Sequence, residues 1–511
     1  MPRCIPADPT STGESGRPRL RRLALALVLL TAATRLPSVL QSRPIDDETV
    51  YSVVANEIVD GGRPYVDAIE RKPPLLFWTY AAVFKTAGKF NWAALHTAAV
   101  LWVLLTMAGL SVLARRGFNA ETGLVAALLY AIYQPWGIWK NLAFNGEVLM
   151  NLPLVWAWAI GLGWRRLRSH QQLLGAGALL GAGFLLKQPA AIAAVPLGVY
   201  LFHPRYRSGR GYTAADSLRE GALLCAGFFG TLGAAAAVLH RQGILQEAVY
   251  WTVTNHALEY VFWGRGIENT LGFAVACVPL GAGALLSLRD GDLWTGRDAE
   301  RFALVGWLAV SAIGVMAGGR FYPHYYIQLI PPLAVLAAPY YAEWWRSRRI
   351  TDAWWWSPRI SRAWLGVTVV VFFGIHCAGL WLTGNTTETG QYIRQHSSPD
   401  DRIFVWGQSP SIYLDARRRP ASRYITTFPL TGYIFGPPMA GIDTRDRIVP
   451  GAWSNFEQDL HAHPPAFIVD TEVDERARYP LAQFPVLARL VAERYRLVAR
   501  TADGLIYRRI T

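Results

Sequence analysis

The sequence predicts a polytopic α-helical membrane protein with a small α/β domain at its C-terminal end. Three observations predict it. Of 511 residues, 52% are apolar and only 17% charged, with a mean hydropathy of +0.19, whereas a soluble chain carries about 25% charged residues. Eleven apolar runs approach the roughly twenty residues that a bilayer span needs. Beyond residue 385 the pattern changes to short strand-like stretches alternating with amphipathic ones.

The elements follow in order. Residues 1–20 form a polar tail whose Arg17, Arg19, Arg21 and Arg22 precede the first run, 22–40, and hold the N-terminus in the cytoplasm. No small-residue cleavage site stands before Asp46, so this run is read as an uncleaved anchor. Residues 41–91 are then an outer loop, within which PPLLFWTYAAVF is too short to span and is read as an interfacial helix over 73–88. Further spans fall at 92–114, 120–138, 148–163, 172–187, 189–203, 220–239, 270–287, 302–318, 324–343 and 363–383. This arrangement places Arg115 and Arg116, Arg165, Arg166 and Arg168, Arg205, Arg207 and Arg210, Arg289 and Arg297, and Arg346, Arg348, Arg349 and Arg359 on the cytoplasmic side. Counting 73–88 as a span reverses all of them, against the bias of Lys and Arg that sets orientation. The domains are therefore a tail, 1–20; a membrane domain, 21–384; and a soluble domain, 385–511, on the outer face of a bacterial inner membrane. In that last domain GQYIRQHS, NFEQDLHAH and FPVLARLVAERY read as helices, and RIFVWG, AFIVD, YRLVART and GLIYRR as strands.

The formal charge of +14 does not indicate nucleic acid. Only five of the fifty basic residues are Lys, and the Arg residues cluster between apolar runs, as topology requires. Cys4, Cys225, Cys277 and Cys377 have the spacing of neither a disulfide framework nor a thiolate zinc site.

Sorted by side, the unusual polar residues collect outside. The first outer loop carries Asp46, Asp47, Glu48 and Tyr51, then Glu70, Arg71 and Lys72; the second carries Lys140, Asn141, Asn145 and Glu147; later ones carry His256, Glu259 and Arg265, then Arg320, Tyr322, His324, Tyr325 and Tyr326. All five lysines, Lys187 included, fall at or near this side. Lys187 and Gln188 precede Pro189 at a helix break, where polar groups line a cavity or satisfy freed backbone. A lipid-linked substrate holds its phosphate at headgroup level, where Lys or Arg pairs with it, and a nearby carboxylate can take a proton from an attacking hydroxyl. Carboxylates in a first helical turn also serve plain helix electrostatics, so composition alone leaves both roles open.

The strings DDETVY, NEIVDGGRPYVD and KPPLLFW resemble the first outer loop of bacterial lipid-dependent glycosyltransferases of the GT-C superfamily. They are similar in particular to glycosyltransferase family 39, the group of protein O-mannosyltransferases and aminoarabinose transferases. FNGEVLMNLP, GFLLKQP and RFYPHYYIQLIPPLAVLAA extend the likeness through the membrane part in order. The resemblance implies a GT-C fold and inverting transfer of one sugar from a polyprenyl phosphate to an acceptor hydroxyl at the outer face. The partners it implies are that lipid donor, a glycan, glycolipid or protein acceptor, and the bilayer.

It assigns Asp47 as catalytic base, with Glu48 its partner in the DE pair, and Glu147 as the second acidic position. Tyr51 is expected at the donor phosphate or acceptor, and Lys72 as a phosphate ligand. Arg320 and His324, with Tyr325 beside them, are further candidates for binding the developing phosphate charge. The aminoarabinose transferases place a metal-site glutamate where Arg71 stands, and Glu70 is shifted by one, so no metal or other cofactor is predicted. A transporter or lipid flippase is the alternative reading; transporters keep ionisable residues at mid-membrane and show related halves, and this sequence shows neither pattern.

Overall fold

The computed structural model describes residues 16–162, 169–209, 211–255, 261–347, 358–382, 386–433, 443–474 and 477–510. The chain is a polytopic helical membrane protein with a small α/β domain after it. Helix α1 (Gly16–Val39) leads to α2 (Glu48–Val59) and α3 (Pro74–Ala87), and then to α4 (Trp92–Gly117), α5 (Ala120–Tyr133), α6 (Gly146–Gly161) and α7 (His170–Leu186). There follow α8 (Ala194–Phe202), the short α9 (Pro204–Ser208), α10 (Ala214–Arg241), the short α11 (Leu245–Val249), α12 (Trp263–Ala276), α13 (Val278–Arg289), α14 (Asp298–Met316), α15 (Ile330–Ser347) and α16 (Pro358–Leu382).

A helix lies at each of the eleven expected spans, and α3 stands at the expected interfacial segment. By length and composition α1, α4, α10 and α14 are each sufficient to cross a bilayer alone, and several others are shorter apolar helices. Prolines explain where the helices depart from the expected ranges. The run at 270–287 is not one straight span: α12 and α13 meet at Cys277 with a bend of 75°. Pro279 there lacks the amide a continuing helix needs, and its ring crowds the preceding turn. Gln188–Ala193 and Pro323–Leu329 are 3-10 turns ahead of α8 and α15, each with a proline in its first two positions. Arg165, Arg166, Arg168, Arg210, Arg348, Arg349, His256 and Glu259 lie outside the described residues.

Small residues bring α7 and α10 together, as in membrane helix pairs where close backbone approach replaces the hydrophobic effect. A Cβ at Gly177 would collide with the Leu224 carbonyl, one at Gly181 would sit 2.8 Å from the Phe228 carbonyl, and one at Gly227 would collide with the Leu174 carbonyl. Elsewhere the bundle is closed by aromatic contacts such as Trp158 stacked on Trp307, with centroids 4.6 Å apart.

The C-terminal part contains α17 (Glu388–His396), β1 (Arg402–Trp406), α18 (Ser411–Ala416), β2 (Arg419–Pro420), α19 (Phe428–Thr431), α20 (Ala452–Ala462), β3 (Phe467–Asp470), α21 (Pro485–Arg494), β4 (Tyr495–Thr501) and β5 (Gly504–Arg509). The sheet order is β2-β1-β3-β5-β4. Strands β2, β1 and β3 are parallel, and β5 runs antiparallel to both β3 and β4. All of β3 and all but the first residue of β1 are buried, as expected of strands covered on both faces. Phe456 of α20 lies 4.8 Å from Phe404, and Phe484 lies 4.8 Å from Trp406.

Polar contacts join this domain to the bundle. Arg419 forks onto the enclosed Glu57 of α2 at 2.6–3.2 Å, Arg43 pairs with Asp415 at 2.9 Å, and the Ile69 amide donates to the Arg423 carbonyl at 2.9 Å.

Asp470, at the end of β3, is 7% exposed, and burial pushes its carboxyl up to about 6. Its folded-state pKa therefore lies above the unfolded value near 3.9, so its proton favours the fold below about pH 4 and that contribution is lost as pH rises through about 6. Asp470→Asn is expected to stabilise the sheet-bearing domain by about 2–3 kcal/mol at pH 7.5 and by nothing at pH 4. Thermal unfolding followed by tryptophan fluorescence at the two pH values checks this, and equal melting at pH 7.5 refutes it.

Candidate active site

Three consecutive acids open α2, and the backbone sends them three ways, because neighbouring helical positions do not face each other. Asp46, with a left-handed φ of 53°, turns its carboxylate to Lys140 Nζ at 2.9 Å. Glu48 is fully buried: Oε2 accepts from the Ile45 amide at 2.7 Å and meets His96 Nε2 at 2.9 Å, while Oε1 accepts from the Phe144 amide at 2.5 Å. Asp47 alone opens toward the cleft, with 41% of its side chain exposed. One turn on, the Tyr51 hydroxyl donates to Asp47 Oδ2 at 3.1 Å, and His324 Nε2 lies 3.8 Å from the same oxygen.

Burial works to raise the Asp47 carboxyl, but the charges of His324, Lys72 and Lys187 and the Tyr51 hydrogen bond outweigh it and hold the group below the ordinary carboxylate range. Tyr51 is enclosed by Phe77 and Tyr80 of α3, edge-on at 6.3 and 5.7 Å, and burial followed by the Asp47 charge keeps its hydroxyl protonated. The Tyr80 hydroxyl in turn donates to the Phe144 carbonyl at 2.7 Å, so α2, α3 and the segment before α6 form one block.

Lys72 stands just before Pro73 and Pro74, which start α3, and the Tyr65 hydroxyl fixes its carbonyl at 2.7 Å. Lys187 follows the last turn of α7, and its ammonium pairs with Glu147 Oε1 and lies 4.5 Å over the Tyr325 ring. Gly146 makes this possible, since a Cβ there would come within 2.9 Å of Lys187 Cδ. Glu147 is 1% exposed, and its Oε2 takes no hydrogen bond among the described residues; the cap of α6 is Asn145, which accepts from the Val148 amide at 3.1 Å. The 3-10 turn after Tyr322 supplies the opposite wall. Its His324 ring stacks on Tyr322 at 5.6 Å, Tyr325 sits beside it at 4.8 Å, and Arg265 lies 4.8 Å over Tyr322. Arg320 is half-buried, near enough for its charge to act on Tyr325.

Asp47, Tyr51, Lys72, His324, Tyr325 and Glu147 are thus brought to one cleft, and Glu48 is walled off from it. Lys187 joins as a residue that sequence reasoning left among cavity-lining alternatives; the lysine bias toward one side was its signal. Among the described residues no three His, Cys, Asp or Glu side chains gather as metal ligands. Arg71, at the position of the expected metal-site glutamate, lies over the Phe428 ring at 4.8 Å.

Residues 71–215 match the family model described as dolichyl-phosphate-mannose-protein mannosyltransferase. Among solved structures, ArnT from Cupriavidus metallidurans bound to undecaprenyl phosphate matches with a TM-score of 0.61 at 15% identity, over 98% of this chain and 99% of that one. The archaeal oligosaccharyltransferase AglB from Archaeoglobus fulgidus, in complex with an inhibitory peptide and a dolichol-phosphate, matches with a TM-score of 0.54 at 14% identity, over 90% and 70%. No curated protein matches the sequence. The chain shares the fold of these structures.

Removing one partner of an enclosed ion pair strands the other. Lys187→Met is therefore expected to destabilise the protein by about 3–5 kcal/mol, and Lys187→Met with Glu147→Leu to recover most of that loss. Thermal unfolding of both variants reads the difference, and a double variant no more stable than the single one contradicts it.

Proposed function

We propose that this chain transfers a single sugar from a polyprenyl-phosphate donor to an acceptor hydroxyl at the outer face of the membrane, with inversion. One observation carries the reading: the Asp47 carboxylate opens into a cleft within the fields of Lys72, Lys187 and His324. The relatives' ligands support it, since the ArnT structure holds undecaprenyl phosphate and the AglB structure a dolichol-phosphate.

In a single displacement the acceptor oxygen attacks the anomeric carbon as the bond from that carbon to the phosphate oxygen breaks. The bond pair leaves with the phosphate, and Lys72 neutralises the charge that develops there. Arg320 and His324 are assigned to the same phosphate, Tyr51 to orienting Asp47, and Tyr325 and Glu147 to holding Lys187. Asp47 takes the hydroxyl proton. A carboxylate with a depressed pKa is a weak acceptor from a resting alcohol, so proton transfer comes late, after the forming bond has made the hydroxyl acidic. A donor phosphate beside Lys72 also cancels part of the field that depresses Asp47. Glu48 is assigned to the scaffold because its oxygens are occupied.

The acceptor is a glycan, glycolipid or protein, and the membrane a bacterial inner membrane with the N-terminus in the cytoplasm and the α/β domain outside. With native cysteines replaced, Arg496→Cys is expected to react with an impermeant maleimide in intact spheroplasts, and Arg115→Cys only after permeabilisation. The reverse pattern inverts the topology.

Asp47→Asn keeps shape and removes basicity. It is expected to lower turnover by about 10²- to 10⁴-fold with unchanged melting, whereas Glu48→Gln lowers melting and turnover together. Lys72→Ala is expected to weaken donor use at high substrate as well as low, because it acts on the leaving phosphate. Membrane vesicles with labelled polyprenyl-phosphate sugar read these effects as released polyprenyl phosphate and glycosylated acceptor. Near-normal turnover in Asp47→Asn rejects its role as base.

A further inference from the structure

The two polar residues ahead of Pro189 leave the end of α7 with different partners. Lys187 has extended backbone and pairs with Glu147. Gln188 opens the 3-10 turn Gln188–Ala193 and turns its side chain to backbone from two other parts of the chain. Its amide nitrogen donates to the Arg71 carbonyl at 3.0 Å and to the Thr252 carbonyl at 3.1 Å. Thr252 belongs to the π turn Tyr250–Thr254 that continues α11, and the carbonyls that end a helical stretch have no intrahelical donor. This bond anchors the amide, so the bond to Arg71 is made from a held position.

The consequence falls on Lys72. Peptide units are planar, so a residue is oriented by two rotations, one against the plane before it and one against the plane after it. Gln188 holds the plane before Lys72 through the Arg71 carbonyl, and the Tyr65 hydroxyl holds the plane after it through the Lys72 carbonyl at 2.7 Å. Pro73 alone confines Lys72 to extended backbone but leaves φ free over about 40° either way. With both planes held, the direction in which the lysine side chain leaves the backbone is fixed, and only its own rotamers remain. Packing repeats the tie: Arg71 lies 4.8 Å over the Phe428 ring, and Trp251, beside Thr252, meets the same ring edge-on at 6.3 Å.

We propose that Gln188 is a positioning residue for Lys72, setting through the Arg71 carbonyl where the lysine ammonium meets the donor phosphate. This rests on the reading of Lys72 as a phosphate ligand and not on transfer itself.

The test is a double-mutant cycle on the full chain in nanodiscs. Gln188→Met keeps the length of the side chain and removes both donors. Binding of undecaprenyl phosphate is read by native mass spectrometry, and turnover by the labelled-donor assay. Gln188→Met is expected to weaken lipid binding several-fold and to lower turnover at saturating donor by about tenfold. In a Lys72→Ala background the same substitution is expected to change either quantity by less than about twofold, because the residue it positions is gone. Tyr65→Phe, which releases the other plane, is expected to show the same dependence on Lys72 and decides the matter if Gln188→Met fails to fold. Equal losses with and without Lys72 mean that the bond only holds the fold and overturn the proposal, as does unchanged binding in Gln188→Met. If the native chain binds undecaprenyl phosphate yet transfers no sugar, the transferase reading falls and the cycle is decided on binding. If it does not bind the lipid, the phosphate role of Lys72 falls and this proposal with it.

Discussion

The site depends on one enclosed carboxylate. Glu48 receives the amides of Ile45 and Phe144 and meets the ring of His96, so a single side chain ties the start of α2 to its own preceding turn, to α4 and to the approach to α6. These contacts fix the first turn of α2 in rotation as well as in position. Asp47 is the neighbouring residue, and its direction follows from that rotation. A charged group so deeply enclosed is tolerable only when its oxygens are satisfied, and here both are. The scaffold acid and the proposed reacting acid are adjacent in sequence and opposite in environment.

The second support is the joint between the bundle and the α/β domain. The Ile69 amide is held by Arg423, whose side chain is itself forked onto Asp459 at 2.7–3.1 Å, and Arg71 lies on Phe428. Between them these contacts settle the stretch that ends in Lys72. The α/β domain therefore bears, through backbone and packing contacts, on the side of the cleft where Lys72 stands and where the donor phosphate is proposed to bind.

Periodicity made the helical part legible, because a bilayer span must satisfy its backbone internally and so leaves a long apolar run. The strands RIFVWG and AFIVD were legible for a related reason: burial on both faces makes them short and wholly apolar. What the sequence left open turns on direction. DDE reads as three equivalent acids until the left-handed backbone at Asp46 and the packing around Glu48 separate them. Lys187 and Glu147, forty residues apart, become partners only because Gly146 admits the lysine stem. The bend at Cys277 was written in Pro279, yet an apolar run hides it, since hydropathy averages over a break.

The glycine contact between α7 and α10 has a mechanical meaning. Helix α7 ends at Lys187, so the depth to which it is seated against α10 sets the height of that ammonium in the cleft. With carbonyls of one helix resting against the glycines of the other, there is no cushion of side chains to absorb a shift. Sliding α7 by a single residue carries Lys187 about 1.5 Å, and misplacement on the order of 1 Å is enough to cost a catalytic site about 10²-fold. Bare backbone in the bundle thus serves as the gauge block against which the charge at its end is set.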